Sequence, residues 1–258
     1  MRKPQHHDRT SLPHQLRYAL RHPRRIVPHL RRRLRDRRLE RQTGGDHVAY
    51  YRAVMRHDTA HNPEAAVGSA THDRWLALGR MQYDYLLRHG LSTGDRFLEI
   101  GCGNLRAGRL VIAHLEPGAY HGVDISPEIL LAAQDTLARE GLQDKRPYLT
   151  LVRDLRLTHL PDASFDVVHA HSVFSHTPVE IIDECLAHVG RVLAPDGFFD
   201  FTYNRTEGPE HQVLREDFYY RTDTLLALAR SHGLEARAMA DWDELPHKQS
   251  KIRVTHRS

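Results

Sequence analysis

The sequence predicts an α/β protein in which a parallel sheet carries helices on both faces. Three observations predict it. From Thr71 onward, apolar runs of five to seven residues alternate with stretches of helical periodicity, five times over. Gly, Pro, Asp or Ser stands at most of the junctions between runs. The 258 residues, 40% of them apolar, are enough to bury a sizeable core in one domain plus appendages. Such an alternation returns each strand parallel to the last. Ligands then bind beyond the carboxyl ends of the strands, where strand order reverses, so chemistry is expected in the turns.

Each element has its own signal. THDRWLALGRMQYDYLLRHG sets Trp75, Leu78, Gln82, Tyr85 and Leu86 near one helical face, with Gly90 where a C-terminal cap belongs. RFLEI is a short buried strand, and RAGRLVIAHL follows as a helix with Ala107, Leu110, Val111 and Leu115 at helical spacing. AYHGVDI is the second strand. Ser126 then caps a helix that Pro127 opens, with Glu128 in its first turn. YLTLVRD and FDVVHAH are the third and fourth strands.

TPVEIIDECLAHVGRVLAPDG is the clearest helix. Thr177 and Glu180 have capping-box spacing, Pro178 opens it, and Ile182, Cys185, Leu186, Val189 and Leu193 line one side. FFDFTYN is the fifth strand. An irregular segment, a helix RTDTLLALARSHG closed by Gly233, and the strands LEARAMADW and KIRVTHR complete the chain.

Charge is unevenly spread. Residues 1–41 hold fourteen Lys and Arg against Asp8, Asp36 and Glu40, whereas the whole chain is only +4, so the remainder is acidic. Residues 1–45 therefore read as a basic arm, partly disordered or an amphipathic helix from near Pro28 with Leu30, Leu34 and Leu39 as a thin apolar stripe, and Gly44-Gly45 as a hinge. Its expected partners are an anionic membrane surface or an acidic protein. Nucleic acid is less favoured, because no aromatic residues interleave with the arginines as stacking platforms. Residues 46–70 read as a linker or helical lead-in, and 71–258 as the main domain. No apolar run approaches a membrane span, no secretory signal is evident, and two cysteines are too few for a disulfide framework. The expected location is cytoplasmic, with peripheral membrane association through the arm.

The first turn, GCGNLR, carries Gly101 and Gly103, which free the backbone to bend sharply and let a ligand approach. Asp124 ends the second strand 21 residues later, where a carboxylate accepts both hydroxyls of a ribose. Asp154 ends the third strand and offers an acceptor to an adenine amino group. Two cofactors fit that much: a nicotinamide dinucleotide, or another adenosine-bearing molecule. Glu99, two residues before the first glycine, opposes a pyrophosphate, and Arg106 stands where the dinucleotide fingerprint has its third glycine. An acid there suits a cofactor bearing a cation.

Together, E-I-G-C-G at 99–103, Asp124, Asp154 and the HSVFSH segment resemble the class I S-adenosylmethionine-dependent methyltransferases, over roughly residues 71–258. The resemblance implies a Rossmann-like seven-stranded sheet of order 3-2-1-4-5-7-6 with strand 7 antiparallel, KIRVTHR being that strand. It implies that Glu99, Gly101 and Gly103 hold the methionine portion of S-adenosyl-L-methionine, that Asp124 with Ile125 holds the ribose, and that Asp154 and Leu155 border the adenine. Arg106 either meets the cofactor carboxylate or pairs with an acid such as Glu99. One departure is Leu105, where the family commonly has a further glycine, and it narrows the space over the loop.

His169, His171 and His176 follow the fourth strand, on the acceptor side of the family's pocket. His176 is the first candidate to orient or deprotonate an acceptor hydroxyl, and His171 the second, with a place in the cofactor cleft as its alternative. Chance clustering is a strong rival in a chain with 21 histidines. His171 and His176 lack an evident third ligand, so no metal is expected. Tyr203, Asn204, His211, Tyr219 and Tyr220 lie in the irregular segment over the acceptor, mostly as packing residues. The function expected is methyl transfer to a small-molecule or glycan hydroxyl. Three rivals are carried: an RNA methyltransferase tethered by the arm, an NAD-dependent oxidoreductase, and an inactive cofactor-binding scaffold.

Overall fold

The structure is a computed structural model, and it describes residues 34–213, 215–243 and 249–257. The chain divides into two compact units, 1–45 and 46–258. In the first, residues 34–43 are helical and end at Gly44 and Gly45, both left-handed. Leu34 is exposed and Leu39 half-buried. Leu30 and the start near Pro28 lie outside the described residues.

The second unit opens with helices α1 (His47–His61) and α2 (Pro63–Ala66). Asp46 accepts the Ala49 N–H to start α1, and Asn62 caps α2 just before its Pro63. Helix α3 (His72–Arg88) buries Trp75, Gly79, Gln82, Tyr85 and Leu86, and Thr71 caps it. The alternation then follows: β1 (Phe97–Ile100), α4 (Gly108–His114), β2 (Tyr120–Asp124), α5 (Pro127–Glu140), β3 (Tyr148–Leu151), β4 (Phe165–Ala170), α6 (Val179–Val192) and β5 (Leu193–Arg205). After β5 come β6 (His211–Val213), β7 (Asp217–Tyr220), α7 (Thr222–Ser231), β8 (Leu234–Ala238), α8 (Ala240–Asp243) and β9 (Ser250–His256).

Seven strands run in the order β3-β2-β1-β4-β5-β9-β8, with β9 antiparallel to β5. This is the order the resemblance implied. The sheet differs by two further strands: β6 and β7 form a hairpin, and β7 pairs in parallel with the end of β5 through Asn204 and Arg205. Both strands are short and mostly exposed or half-buried, so the segment carries no apolar alternation to announce them.

Period-two alternation sorts the strands between two cores. Leu98, Ile100, Val168, Phe199 and Val254 pack with Ile182, Cys185, Leu186 and Val189 of α6 and Leu225 of α7. Phe97, Tyr120 and Val167 face Leu86, Val111, Ile112, Ala133 and Leu137 of α3, α4 and α5. The carboxyl ends of β1, β2 and β4 therefore open onto one rim.

Two local expectations are corrected. Pro178, extended at φ −65° and ψ 159°, is itself the N-cap of α6, which leaves Thr177 one residue too early; its buried hydroxyl has no hydrogen-bond partner among the described residues. The run LEARAMADW is not one strand. It breaks after Ala238, and the turn of α8 drives Trp242 into the interior, where its indole N–H donates to the Gln249 carbonyl at 3.1 Å.

Candidate functional site

The turn after β1 bends through left-handed residues at Gly101 (φ 68°) and Gly103 (φ 54°). A β-carbon on Gly101 would collide with the Val173 side chain, and one on Gly103 would meet Val67 Cγ1 at 2.9 Å. Leu105 is left-handed as well (φ 63°), so it keeps the backbone course a glycine would take while its side chain is fully buried.

Asp124 ends β2 beneath this turn. It accepts the Gly103 N–H at 3.0 Å and the Ser126 N–H at 3.0 Å. Burial pushes its carboxyl upward, and those N–H groups oppose the shift. A carboxylate has about four lone-pair sites, more than these N–H groups occupy. Ser126 also caps α5, accepting the Ile129 N–H.

Glu99 is buried and accepts the Tyr120 hydroxyl. Burial pushes it up to about 7, opposed by that hydrogen bond and by Arg106, and Asp124 adds to the rise. The Arg106 guanidinium donates to the Val67 carbonyl at 2.5 Å and to Ser69 Oγ at 3.4 Å, tying the segment after α2 to the turn. Burial holds it down to about 10, with Glu99 pulling the other way. Asp154 is exposed and accepts the Arg156 N–H, whereas Leu155 is buried and donates its N–H to Glu184.

The structure separates the three histidines. His169 is wholly buried within β4, with neither ring nitrogen hydrogen-bonded among the described residues, and burial pulls it well below the usual imidazole range. It belongs to a polar row across four strands: Glu99 pairs with His169, His169 with Asp200, and Asp200 with Arg253. Asp200 takes a two-pronged ion pair from Arg253 at 2.7 and 2.8 Å, with the Lys251 ammonium 3.8 Å away. Lys251 sits over the rings of Trp242 and Tyr85, and burial lowers it to about 8. His171 meets the edge of Trp242 and stacks on His169 at 6.3 Å.

His176 lies elsewhere. Its Nδ1 is 2.7 Å from the Glu216 carbonyl and 3.3 Å from Asp217 Oδ1. A carbonyl only accepts, so Nδ1 carries the hydrogen in this contact. Asn204 donates to the Ser175 and Phe218 carbonyls, and the Tyr220 hydroxyl donates to the Thr177 carbonyl, so the hairpin braces this loop. Tyr203 is buried and hydrogen-bonded to Thr222, while His211 stacks on Tyr219.

Residues 46–70, read as a linker or helical lead-in, hold α1 and α2, and the contacts of α1 with the rim were not foreseen. Arg52 donates to the Ile125 carbonyl at 2.8 Å and the Val152 carbonyl at 3.4 Å, across the ends of β2 and β3. His47 reaches the His176 carbonyl at 2.8 Å, and Tyr51 stacks on the His176 ring at 5.8 Å. The available signal was Asp46 as a cap followed by Tyr50, Val54 and Met55 at helical spacing.

Comparison with known proteins agrees with this arrangement. The family model described as "Methyltransferase domain" matches residues 98–199. A ribosomal protein L11 methyltransferase of Stenotrophomonas maltophilia is 37% identical over 131 residues, 48% of this chain and 36% of that protein. A ubiquinone biosynthesis O-methyltransferase of Xylella fastidiosa is 33% identical over 135 residues, half of each chain. An uncharacterised Haemophilus influenzae protein is 28% identical over 167 residues, 64% of this chain and 63% of that one. The chain thus spans from about a third to under two thirds of the length of these relatives. Among solved structures, a DhpI–SAH complex superposes with TM-score 0.55 at 17% identity, covering 81% of this chain and 94% of that one. Magnesium protoporphyrin IX methyltransferase from Synechocystis gives TM-score 0.55 at 14% identity, covering 75% and 82%. At such identities these two show a shared fold. Residues 98–199 thus resemble a methyltransferase domain, and the sheet built around them has the fold of these solved structures.

Proposed function

We propose that this chain transfers a methyl group from S-adenosyl-L-methionine to a hydroxyl of a small molecule or glycan. The observation that carries the reading is Asp124: a buried carboxylate at the end of β2 clasps the glycine turn after β1 and retains acceptor capacity for a ribose. The donor set suits the cofactor. Glu99 lies under the same turn as a buried acid for an ammonium, Gly101 and Gly103 border the methionine portion, Ile125 adjoins the ribose, and Asp154 and Leu155 edge the adenine. Arg106 anchors the turn from behind, through Val67. When bound, the cofactor supplies an electrophilic methyl carbon on a sulfonium.

The protein's share is alignment and proton handling. His176 holds its ring by the Nδ1–H bond to the Glu216 carbonyl and presents Nε2 as the base for the acceptor hydroxyl. His171, beside Trp242, is the second candidate. Relatives named for a protein acceptor and for an O-methylation step both occur, and the tautomer of His176 favours the hydroxyl reading.

Calorimetry with S-adenosylmethionine, S-adenosylhomocysteine and NAD tests the cofactor. Binding of both sulfur nucleosides and not of NAD is the expected result; NAD binding alone would overturn it. For the basic arm, residues 1–41, we propose contact with an anionic membrane surface or acidic partner. Deleting them is expected to abolish association with phosphatidylserine vesicles and keep cofactor affinity. Among the described residues no helix is long and apolar enough to cross a membrane.

A further inference from the structure

A cavity of about 330 Å³ lies against β8, lined by Arg230, Leu234, Glu235, Ala236 and Arg257. It stands apart from the Asp124 rim in two ways. β8 is four strands from β1 in the sheet, roughly 19 Å at about 4.8 Å per strand. β9 is antiparallel to both β5 and β8, so Leu234 at the start of β8 and Arg257 after the end of β9 lie at the amino ends of the parallel strands. The glycine turn and Asp124 lie at the carboxyl ends.

The floor is apolar and fixed. Leu234 is buried in the larger core, and a β-carbon on Gly190 of α6 would meet its Cδ2 at 3.1 Å; Ala236 packs against the same core. Arg230 comes from the last turn of α7, where the carbonyls already have partners: Leu228 accepts the Ser231 hydroxyl, Ala229 the His232 N–H and Arg230 the Gly233 N–H. The helix end therefore makes no use of its guanidinium. Arg230, Glu235 and Arg257 are exposed, and among the described residues none of their side chains forms a hydrogen bond or an ion pair. The outer edge of β8 also has no partner strand among the described residues, which leaves alternate backbone N–H groups as further donors.

Two guanidinium groups on separate elements, lining one hollow, suit an oxyanion, either a carboxylate or a phosphate. Glu235 decides between them, because a dianion meets twice the repulsion that a monoanion does. The apolar floor calls for a hydrocarbon body on the ligand. We infer that this cavity binds a small organic monocarboxylate, its oxygens held by Arg230 and Arg257 and its apolar body lying on Leu234 and Ala236. The site is independent of the methyltransferase reading above.

Calorimetry on the full chain compares benzoate with benzamide, which has the same shape and no charge, and with inorganic phosphate. Benzoate is expected to bind about tenfold more tightly than either. Arg230→Gln and Arg257→Gln are each expected to weaken benzoate about tenfold and leave benzamide unchanged, whereas Glu235→Gln should tighten benzoate. Ala236→Leu keeps both cations but fills the floor, and should abolish binding. No saturable benzoate binding, benzamide or phosphate binding as tight as benzoate, or benzoate affinity that survives both arginine substitutions or Ala236→Leu would overturn the inference.

Discussion

Tyr120 donates its hydroxyl hydrogen to the Glu99 carboxylate across the β1–β2 pair, beneath the first residue of α4, where a β-carbon on Gly108 would crowd both groups. The acid is therefore buried, singly supported and held up at about 7. A bound ammonium favours its ionised form, so cofactor binding releases a proton below that pH. Affinity for S-adenosylmethionine is expected to climb as pH rises toward about 7 and to level off above it; calorimetry from about pH 5.5 to 8.5 reads this. Tyr120→Phe, which removes the donor, should move the climb to higher pH, and Glu99→Gln should flatten it at a low value.

The same acid sets a stability trend of known sign. Its folded pKa is raised from 4.5, so the native state binds the extra proton and stability falls as pH rises from about 4.5 through 7. Glu99→Gln is expected to lose this slope, gaining on the parent in thermal melts above pH 7 and matching it near pH 4.5.

Asp124→Ala leaves the Gly103 and Ser126 N–H groups without their acceptor as well as any sugar hydroxyl. Affinity for S-adenosylhomocysteine is expected to drop by about 1–3 kcal/mol. Unchanged affinity in calorimetry would remove Asp124 from the site.

Leu105 sits left-handed with a buried side chain, so two effects compete there. Loss of the leucyl packing should cost about 2–5 kcal/mol in either Leu105→Ala or Leu105→Gly. Glycine takes this backbone without strain and alanine does not. The glycine variant should therefore be the more stable of the two by about 1 kcal/mol in urea unfolding, the reverse of their order in a helix.

Lys251 is lowered to about 8 by burial. The unfolded chain therefore binds more protons between about pH 8 and 10.5, and the cost of burying the ammonium is full below pH 8 and relieved above that window. Lys251→Met keeps the bulk between Trp242 and Tyr85 and should raise the melting temperature at pH 7, with the gain fading toward pH 10.5. Asp200→Asn, in contrast, strips Arg253 of its buried partner and should cost about 3–5 kcal/mol.

What could be read in advance follows from how each signal is encoded. The strand–helix alternation, the Ser126 cap and the placement of Asp124 rest on local patterns that tertiary contacts reinforce, whereas the strand order was implied by the family resemblance. Glu99 was legible as a buried acid under a glycine turn, but its partner Tyr120, 21 residues away, was not, because only strand pairing brings them together. The capping box at Thr177 failed because Pro178 took the cap itself. The hairpin β6–β7 was missed since its short strands lack a clear apolar face. Helix α1 hid behind tyrosine, histidine and arginine, whose contacts with the rim depend on the finished sheet.

The grip of Arg52 on the rim involves only main-chain oxygens of residues 125 and 152. Those carbonyls persist whatever amino acid occupies either position, so the hold of Arg52 does not depend on the side chains of Ile125 and Val152. Substitution at either position can therefore reshape the wall of the rim without unfastening the helix laid across it.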